Sequence, residues 1–316
     1  MRLARAILLR LLYGILSLIF IALVTFAADE LAPGDAVTAI ASEKADAATK
    51  ARIRQNLGLD RPAPERFLNF LGKAVRFDFG NSYSYTKEPV IDIIKRTLPM
   101  TLRVAFFAML LATIIGITLG AIAAVRENRF LDRAVLTIST LGVTVPNFVL
   151  APLLVLIFYV WLDQLPATWD TRRVVPDFYY LILPVAILAA RPMALLTRLT
   201  RASMVETLQQ EFIRTAIAKG VPPRRLFFKH ALRNAILPVI TVIGTSFGFL
   251  LTGSFVVERA FALPGLGSTT IEAIGRGDFP VVAACVLVTG ALFIVINLMV
   301  DMILPILDPR IRESQV

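Results

Sequence analysis

Six apolar stretches constrain this chain more than any other feature of its sequence. Each is long enough as a helix to cross about 30 Å of hydrocarbon, and the chain as a whole is 57% hydrophobic. Inside a bilayer the backbone polar groups must be paired within the segment, so these stretches predict helices. The expected spans are 8–28, 101–125, 134–161, 178–199, 235–257 and 281–307. The sequence therefore predicts an all-α membrane protein with six transmembrane helices.

Basic residues are divided unevenly between the two sides of these spans. Sixteen Lys and Arg residues lie on the side of the termini and of the loop 198–233, against four in the short loops of the other side. Cytoplasmic loops keep an excess of Lys and Arg, so both termini and this loop are expected in the cytoplasm. The net charge of +10 has the same cause, and we expect no nucleic-acid partner.

The first apolar stretch allows a second interpretation. It follows three arginines and ends in TFAAD, which resembles a signal-peptide cleavage site. Because the stretch is long enough to span the bilayer, we favour an uncleaved first helix.

The long loop 29–100 contains three segments with a helical pattern. They are EKADAATKARIRQNLGLD, which stops at Gly58, APERFLNFLGKAV after Pro62 and Pro64, and EPVIDIIKRTLP, which is expected to end before Pro99. Together they predict a small helical extracytoplasmic insertion after the first helix.

The loop EFIRTAIAKGVPPRRLFFKHALRNAILP, residues 211–238, concentrates charge between two apolar spans. It holds six basic residues and the only histidine of the chain. Four of its apolar residues recur at helical spacing: Phe212, Ile213, Ala216 and Ile217. They predict an amphipathic helix over 211–219 with these four on one face. Gly220 is expected to end this helix and Pro223 to start a second one, and the loop either rests on anionic lipid or meets a partner.

The same loop resembles the cytoplasmic loop of ATP-binding-cassette (ABC) importer permeases of the dipeptide, oligopeptide and nickel subfamily. The matching residues read R-T-A-x-A-K-G at 214–220 and H-A-L-R-N-A-x-x-P at 230–238. Other motifs of that subfamily follow in order: LAPGDAV (31–37), LGLDRP (57–62), DFGNS (78–82), LTRASM (199–204), LPGLG (263–267), DFPVV (278–282) and LDPRIR (307–312). The broader family motif begins Glu-Ala-Ala, where this chain has Arg214, Thr215 and Ala216, as the peptide subfamily does.

The resemblance implies the ABC type I importer permease fold and makes the loop 211–238 a coupling loop that docks on a separate ATPase. The residues expected to dock are Glu211, Arg214, Thr215, Ala216, Ala218, Lys219 and Gly220. Those expected to brace the loop are His230, Arg233 and Asn234. The chain would then divide into an N-terminal cytoplasmic end with the first helix (1–28), an extracytoplasmic lid (29–100), a five-helix core (101–307) and a cytoplasmic tail (308–316).

The resemblance also implies partners and a location. The partners are a second homologous permease, two ABC ATPase subunits and an extracytoplasmic substrate-binding protein, in the lipid bilayer of a bacterial inner membrane. The chain has no GxxxxGK[ST], HExxH or GxSxG motif, and Cys285 is its single cysteine. We therefore expect no catalytic residue, metal or cofactor in this chain, and ATP with Mg on the partner subunits.

Three residues are candidates for the translocation pathway. Arg191 lies inside the fourth span, and an intramembrane charge is by default a functional hypothesis. It faces the pathway, pairs with Asp301, Asn297 or the partner permease, or extends to the membrane surface. Pro146 and Asn147 interrupt the third span, where they either line the pathway or only shape the packing.

The resemblance favours di- or oligopeptides as the substrate, and nickel complexes, glutathione, opines and oligosaccharides remain alternatives. A secondary transporter driven by an ion gradient is a different class, in which the basic loop only binds lipid. That class predicts charged residues in several spans, and Arg191 is the one clear case. An intramembrane enzyme would need paired catalytic residues, which the sequence lacks.

Overall fold

A computed structural model describes residues 2–31, 37, 46–56, 58–83, 87–172 and 175–307 of the chain. Within these ranges the regular elements are helices, with one isolated β-bridge between Asn81 and Pro89. Most of the LAPGDAV and LDPRIR motifs and the expected tail 308–316 lie outside the described residues. The chain forms two compact units, one of residues 1–101 and 262–294 and the other of residues 102–261 and 295–316.

The helices are numbered in chain order. They are α1 (Arg2–Leu31), α2 (Ala47–Asn56), α3 (Ala63–Ala74), α4 (Val90–Val125), α5 (Phe130–Thr144), α6 (Asn147–Val155), α7 (Asp177–Leu208), α8 (Glu211–Ala218), α9 (Leu237–Ala260), α10 (Leu266–Arg276) and α11 (Phe279–Leu307). A π-helical stretch, Leu156–Trp161, continues α6. The segment 223–235, called here the return helix, has a π-helical middle at Leu226–Leu232.

Among the described residues, five helices are long and apolar enough to cross a membrane. These spans are Leu8–Leu31, Val90–Val125, Asp177–Leu208, Leu237–Ala260 and Phe279–Met302. The expected third span is instead a pair of helices, α5 and α6 with its π-helical continuation. The chain bends by 104° between them. At about 22 Å each, neither half reaches across about 30 Å of hydrocarbon. Counted as one span, the pair brings the total to the six that were predicted.

The break in the third span occurs at the proline that the sequence marked. A residue before proline is disfavoured in helical conformation, and Val145 is accordingly extended (φ −82°, ψ 119°). Pro146 is extended as well (φ −64°, ψ 146°), and α6 begins at Asn147. The predicted third span, 134–161, is therefore two helices rather than one, because two consecutive extended residues redirect the chain at the interruption predicted for Pro146 and Asn147.

The second span begins earlier than expected. The amphipathic segment before it was predicted to end ahead of Pro99, but α4 runs from Val90 through Pro99 to Val125. A proline inside a helix costs about 3 kcal/mol. A buried stripe at helical spacing continues across the proline and offsets that cost; it includes Ile94, Thr97, Thr101 and Val104.

In the first unit, α3 packs against the end of α1 through aromatic side chains. The ring centroids of Phe26 and Phe67 lie 5.5 Å apart, and those of Phe26 and Phe70 lie 6.3 Å apart. The Arg66 guanidinium lies 2.8 Å from the Glu30 carboxylate beside them. The first two of the three helical segments predicted in the loop 29–100 are thus present as α2 and α3, and α3 packs against α1.

In the second unit, α7 is the helix on which the others pack. Helices α5, α6 and α9 all contact it. A Cβ on Gly116 would lie 2.9 Å from the Met193 carbonyl oxygen, and one on Gly120 would overlap the Thr197 carbonyl. Small residues four apart let helix backbones approach closely in membranes, which explains the tight contact between α4 and α7.

Candidate functional site

The α7–α9 loop, residues 209–236, is the segment that the sequence singled out, and local chemistry explains its path. Helix α8 begins at Glu211 and ends at Ala218, close to the predicted bounds. Gly220 is left-handed (φ 72°), and its N–H donates to the Ile217 carbonyl at 2.9 Å. Glycine takes this conformation after a helix without the strain that a Cβ would add. The chain reverses here, and a Pro-Pro pair leads into the return helix.

The inner face of α8 is anchored in a small apolar cluster of the second unit. The buried members of this cluster are Ala124, Met204, Ile213, Ala231 and Ala235. Ile213 is 1% exposed and Met204 is fully buried. The cluster therefore joins α8 to α4, α7 and the return helix in one packed core.

The outer face of α8 combines large apolar and charged side chains. Phe212 is 43% exposed and Ile217 is 58% exposed. Of the four apolar residues predicted to share one face, Ile213 and Ala216 are buried, whereas Phe212 and Ile217 lie at the edges of that face. At 3.6 residues per turn each lies roughly 70° from the middle of the buried arc, and the cluster beneath is too narrow to cover them.

The residues expected to dock are distributed over both faces. Ala216 is 7% exposed and packs inward, which does not fit a contact with a partner. The other six are exposed: Glu211, Arg214, Thr215, Ala218, Lys219 and Gly220. Arg214 and Glu211 form an exposed ion pair at 2.9 Å, which contributes little to stability in water. Phe228 on the return helix is also exposed, and it was not among the residues predicted to dock.

The three residues expected to brace the loop lie on the return helix. The Asn234 amide donates to the His230 backbone carbonyl at 2.7 Å. His230 is half-buried, and Arg233 is exposed. A π-helical stretch interrupts the regular ladder of backbone hydrogen bonds. The Asn234 amide therefore supplies a hydrogen bond to a carbonyl group of that stretch.

A buried ion pair just before the loop was missed from the sequence. Arg201 on α7 donates twice to Asp132 on α5, with N···O distances of 2.9 and 2.8 Å. Asp132 is 2% exposed and also accepts the Asn128 N–H at 2.8 Å. Glu127 lies 3.8 Å from the same guanidinium. The pair fixes the turn between α4 and α5 to the last part of α7, but its partners are 69 positions apart, and no spacing motif reveals it.

The candidate pathway residues lie in the second unit. Arg191 is exposed on α7, and among the described residues its side chain has no hydrogen-bond or ion-pair partner. The predicted alternatives of a bond to Asp301 or Asn297 are therefore not present. Pro146 is exposed at the break between α5 and α6, and Asn147 is half-buried in the first turn of α6.

In the first unit, a second buried polar contact joins two of the motifs. The carboxylate of Asp278 in DFPVV accepts the Ser82 hydroxyl of DFGNS and, at 3.0 Å, the Tyr83 N–H. Ser82 and Asp278 are both 3% exposed. Burial, reinforced by the nearby carboxylates of Asp29 and Asp278, raises the pKa of Tyr83 to about 12. The contact joins the two motifs in space, although Ser82 and Asp278 lie 196 positions apart.

Comparisons with known proteins agree with this architecture. Residues 116–313 match the family of binding-protein-dependent transport system inner membrane components, and residues 3–105 match the N-terminal region of the same class. The dipeptide transport system permease protein DppB of Bacillus subtilis is 42% identical over 269 residues, covering 84% of this chain and 85% of that protein.

Two further relatives cover still more of the chain. A probable peptide ABC transporter permease protein of Sinorhizobium fredii, y4tP, is 37% identical over 89% of this chain and 91% of its own length. The glutathione transport system permease protein GsiC of Escherichia coli K12 is 40% identical over 96% of this chain and 97% of its own length. The chain therefore belongs to this family: it is not itself an enzyme but a multi-pass inner-membrane permease subunit of an ABC transport system, which works with an ATPase and a binding protein rather than with an ion gradient.

Proposed function

We propose that this chain forms half of the translocation pathway of an importer for di- or oligopeptides. Two relatives named for peptides support this substrate class, and glutathione, named for the third, is itself a small peptide. The second half of the pathway comes from a homologous permease, and an extracytoplasmic binding protein delivers the substrate. Nickel complexes, opines and oligosaccharides are the competing substrates.

The substrate assignment is tested by uptake. The complete complex, reconstituted in vesicles with its binding protein, is expected to accumulate labelled alanyl-alanine when ATP is supplied to the ATPase side. Unlabelled peptides should compete with this uptake, whereas a nickel chelate or an oligosaccharide should not. Competition by one of those instead would reassign the substrate.

The outer face of α8 is the observation that supports docking on an ATPase. Exposed apolar residues surrounded by polar ones are typical of protein interaction sites, and here Phe212 and Ile217 stand beside Arg214 and Lys219. The inner face is held by Ile213, so force on the outer face reaches α7 and the return helix. Two ATPase subunits bind ATP and Mg, and one of them receives this face, while this chain binds no cofactor.

A single charge on the outer face tests the docking. Ile217→Asp is expected to abolish peptide-stimulated ATP hydrolysis and co-purification of the ATPase, because a carboxylate cannot be desolvated in an apolar contact. Phe130→Asp is the matched control, since Phe130 is 88% exposed at the start of α5, outside the loop. Normal hydrolysis in the Ile217 variant would assign the loop to the lipid surface instead.

The excess of basic residues supports an orientation with both termini in the cytoplasm. This requires an even number of crossings, so the bent pair of α5 and α6 must count as one. Reporter enzymes fused to the two termini are expected to show the same cytoplasmic location. Opposite locations would mean that the bent pair enters and leaves the membrane on one side.

A further inference from the structure

Arg191 lies at the level of the middle of the membrane. The boundary nearest to it is marked by the charged turn 126–129, which is tied to Arg201 through Glu127 and Asp132. Arg191 is ten residues before Arg201 on α7, a rise of about 15 Å, which equals half the thickness of the hydrocarbon. Its side chain is also directed away from that boundary, because Cα–Cβ bonds in a helix tilt toward the N-terminus.

No described residue of the chain forms an ion pair or hydrogen bond with Arg191. In the parts of α4, α5, α6 and α9 that belong to the second unit, the acidic residues are Asp132 and Glu258. Asp132 is bound to Arg201, and Glu258 is fully buried whereas Arg191 is exposed. A guanidinium that faces lipid at this depth is strongly disfavoured. The surface around Arg191 must therefore meet water or an anion from outside the chain.

The helix break lies at nearly the same level. A Cβ on Gly142 would lie 3.1 Å from the carbonyl oxygen of Ala190 on α7. Gly142 is therefore level with Ala190, the residue that precedes Arg191. Helix α5 ends two residues later at Thr144, which is exposed, as is Pro146. Broken helices at mid-membrane leave backbone groups free for a ligand, and transporters place substrate sites at such points.

We propose that Arg191 binds the carboxylate of the substrate during its passage through the membrane. The ligand class is a peptide with a free carboxylate, because a guanidinium pairs with a carboxylate through two parallel hydrogen bonds. This inference rests on the proposed function, since it assumes that the exposed face of α7 lines the pathway. Arg191 then acts as a specificity-determining residue, with its charge uncompensated until a substrate arrives.

Arg191→Cys in a Cys285→Ala background tests the role of the charge in the complete reconstituted complex. Uptake of alanyl-alanine should fall about ten- to hundredfold, the ratio expected when the substrate carboxylate loses its charged hydrogen-bond donor. A thiol reagent carrying an ammonium group should restore uptake, and one carrying a sulfonate should not. Arg198→Cys is the matched control: it is exposed on α7, makes no bond with the described residues and lies about 10 Å closer to the boundary. Its uptake should stay unchanged with either reagent.

Each contrary result has its own meaning. Unchanged uptake by the Arg191→Cys complex, or equal recovery with both reagents, would overturn the carboxylate site. Loss of the second permease from the purified variant would show that Arg191 pairs with that subunit, which also overturns it. If the unsubstituted complex imports no alanyl-alanine, the proposed substrate class itself fails, independently of how Arg191 behaves.

Discussion

Removing the Arg201 side chain from the Asp132–Arg201 pair should destabilise the second unit strongly. Arg201→Met keeps the apolar stem of the side chain but leaves the Asp132 carboxylate, 2% exposed, with the Asn128 N–H as its remaining partner among the described residues. Breaking a buried pair by removing one partner costs about 3–5 kcal/mol. Because 21% of the Arg201 side chain is exposed, we expect about 3 kcal/mol, at the lower end of that range.

Asp132→Asn should cost less. It leaves Arg201 partly solvated and 3.8 Å from Glu127, so we expect about 1.5–2 kcal/mol, the lower end of the range for losing a hydrogen bond to a charged group. In the double variant neither charge remains unpaired, so its destabilisation should be about 1–3 kcal/mol smaller than the sum of the two single effects. This departure from additivity, rather than either single effect, measures the interaction energy between Asp132 and Arg201.

The assay is reversible denaturation of the purified chain in mixed micelles, monitored by loss of helical signal. Arg198→Met is the matched control, three residues earlier on α7 and exposed, and should stay within about 0.5 kcal/mol of the unsubstituted chain. Additive single effects, or an Arg201 variant as stable as the Arg198 variant, would refute the reasoning. Because the pair lies seven residues before the end of α7, the same Arg201 variant should also show weaker peptide-stimulated ATP hydrolysis in the assembled complex.

Two further predictions concern the turn after α8 and the first unit. Gly220→Ala should lower the free energy of unfolding by about 1 kcal/mol, because the φ of 72° strains any Cβ even though a Cβ there would meet nothing within 4 Å. Gly220→Asn should lower it by less. Gly220→Pro should abolish peptide-stimulated ATP hydrolysis with the protein still inserted. Thermal stability ranks the first two variants, and a ranking with alanine above asparagine would contradict the conformational argument. The raised pKa of Tyr83 predicts that between about pH 10 and pH 12 the unfolded chain has lost the tyrosine proton while the folded chain keeps it, so that stability falls as pH rises. Tyr83→Phe should remove this part of the pH dependence, and identical slopes in both proteins would argue against burial of the hydroxyl.

The parts of the site that depend on neighbours in the chain were predictable from the sequence. The bounds of α8 follow from apolar spacing, and the reversal at Gly220 follows from a glycine before two prolines. The number and approximate position of the spans follow from the length of the apolar stretches, because crossing the bilayer requires a fixed number of residues. The family resemblance of the loop was likewise carried by adjacent residues.

Features that depend on distant residues were decided by the tertiary structure. Which arc of α8 is buried depends on Met204 and Ala231 beneath it, so Ile217 is exposed although it belongs to the apolar face predicted from the sequence. Helix α4 continues through Pro99 because the stripe on both sides of the proline is buried, and the proline alone predicts a break. The pairing of Asp132 with Arg201, and the absence of such a partner for Arg191 among the described residues, arise from the packing of α5 on α7. Local propensity is encoded within a few residues, whereas the environment of a charge is set by side chains that only folding brings together.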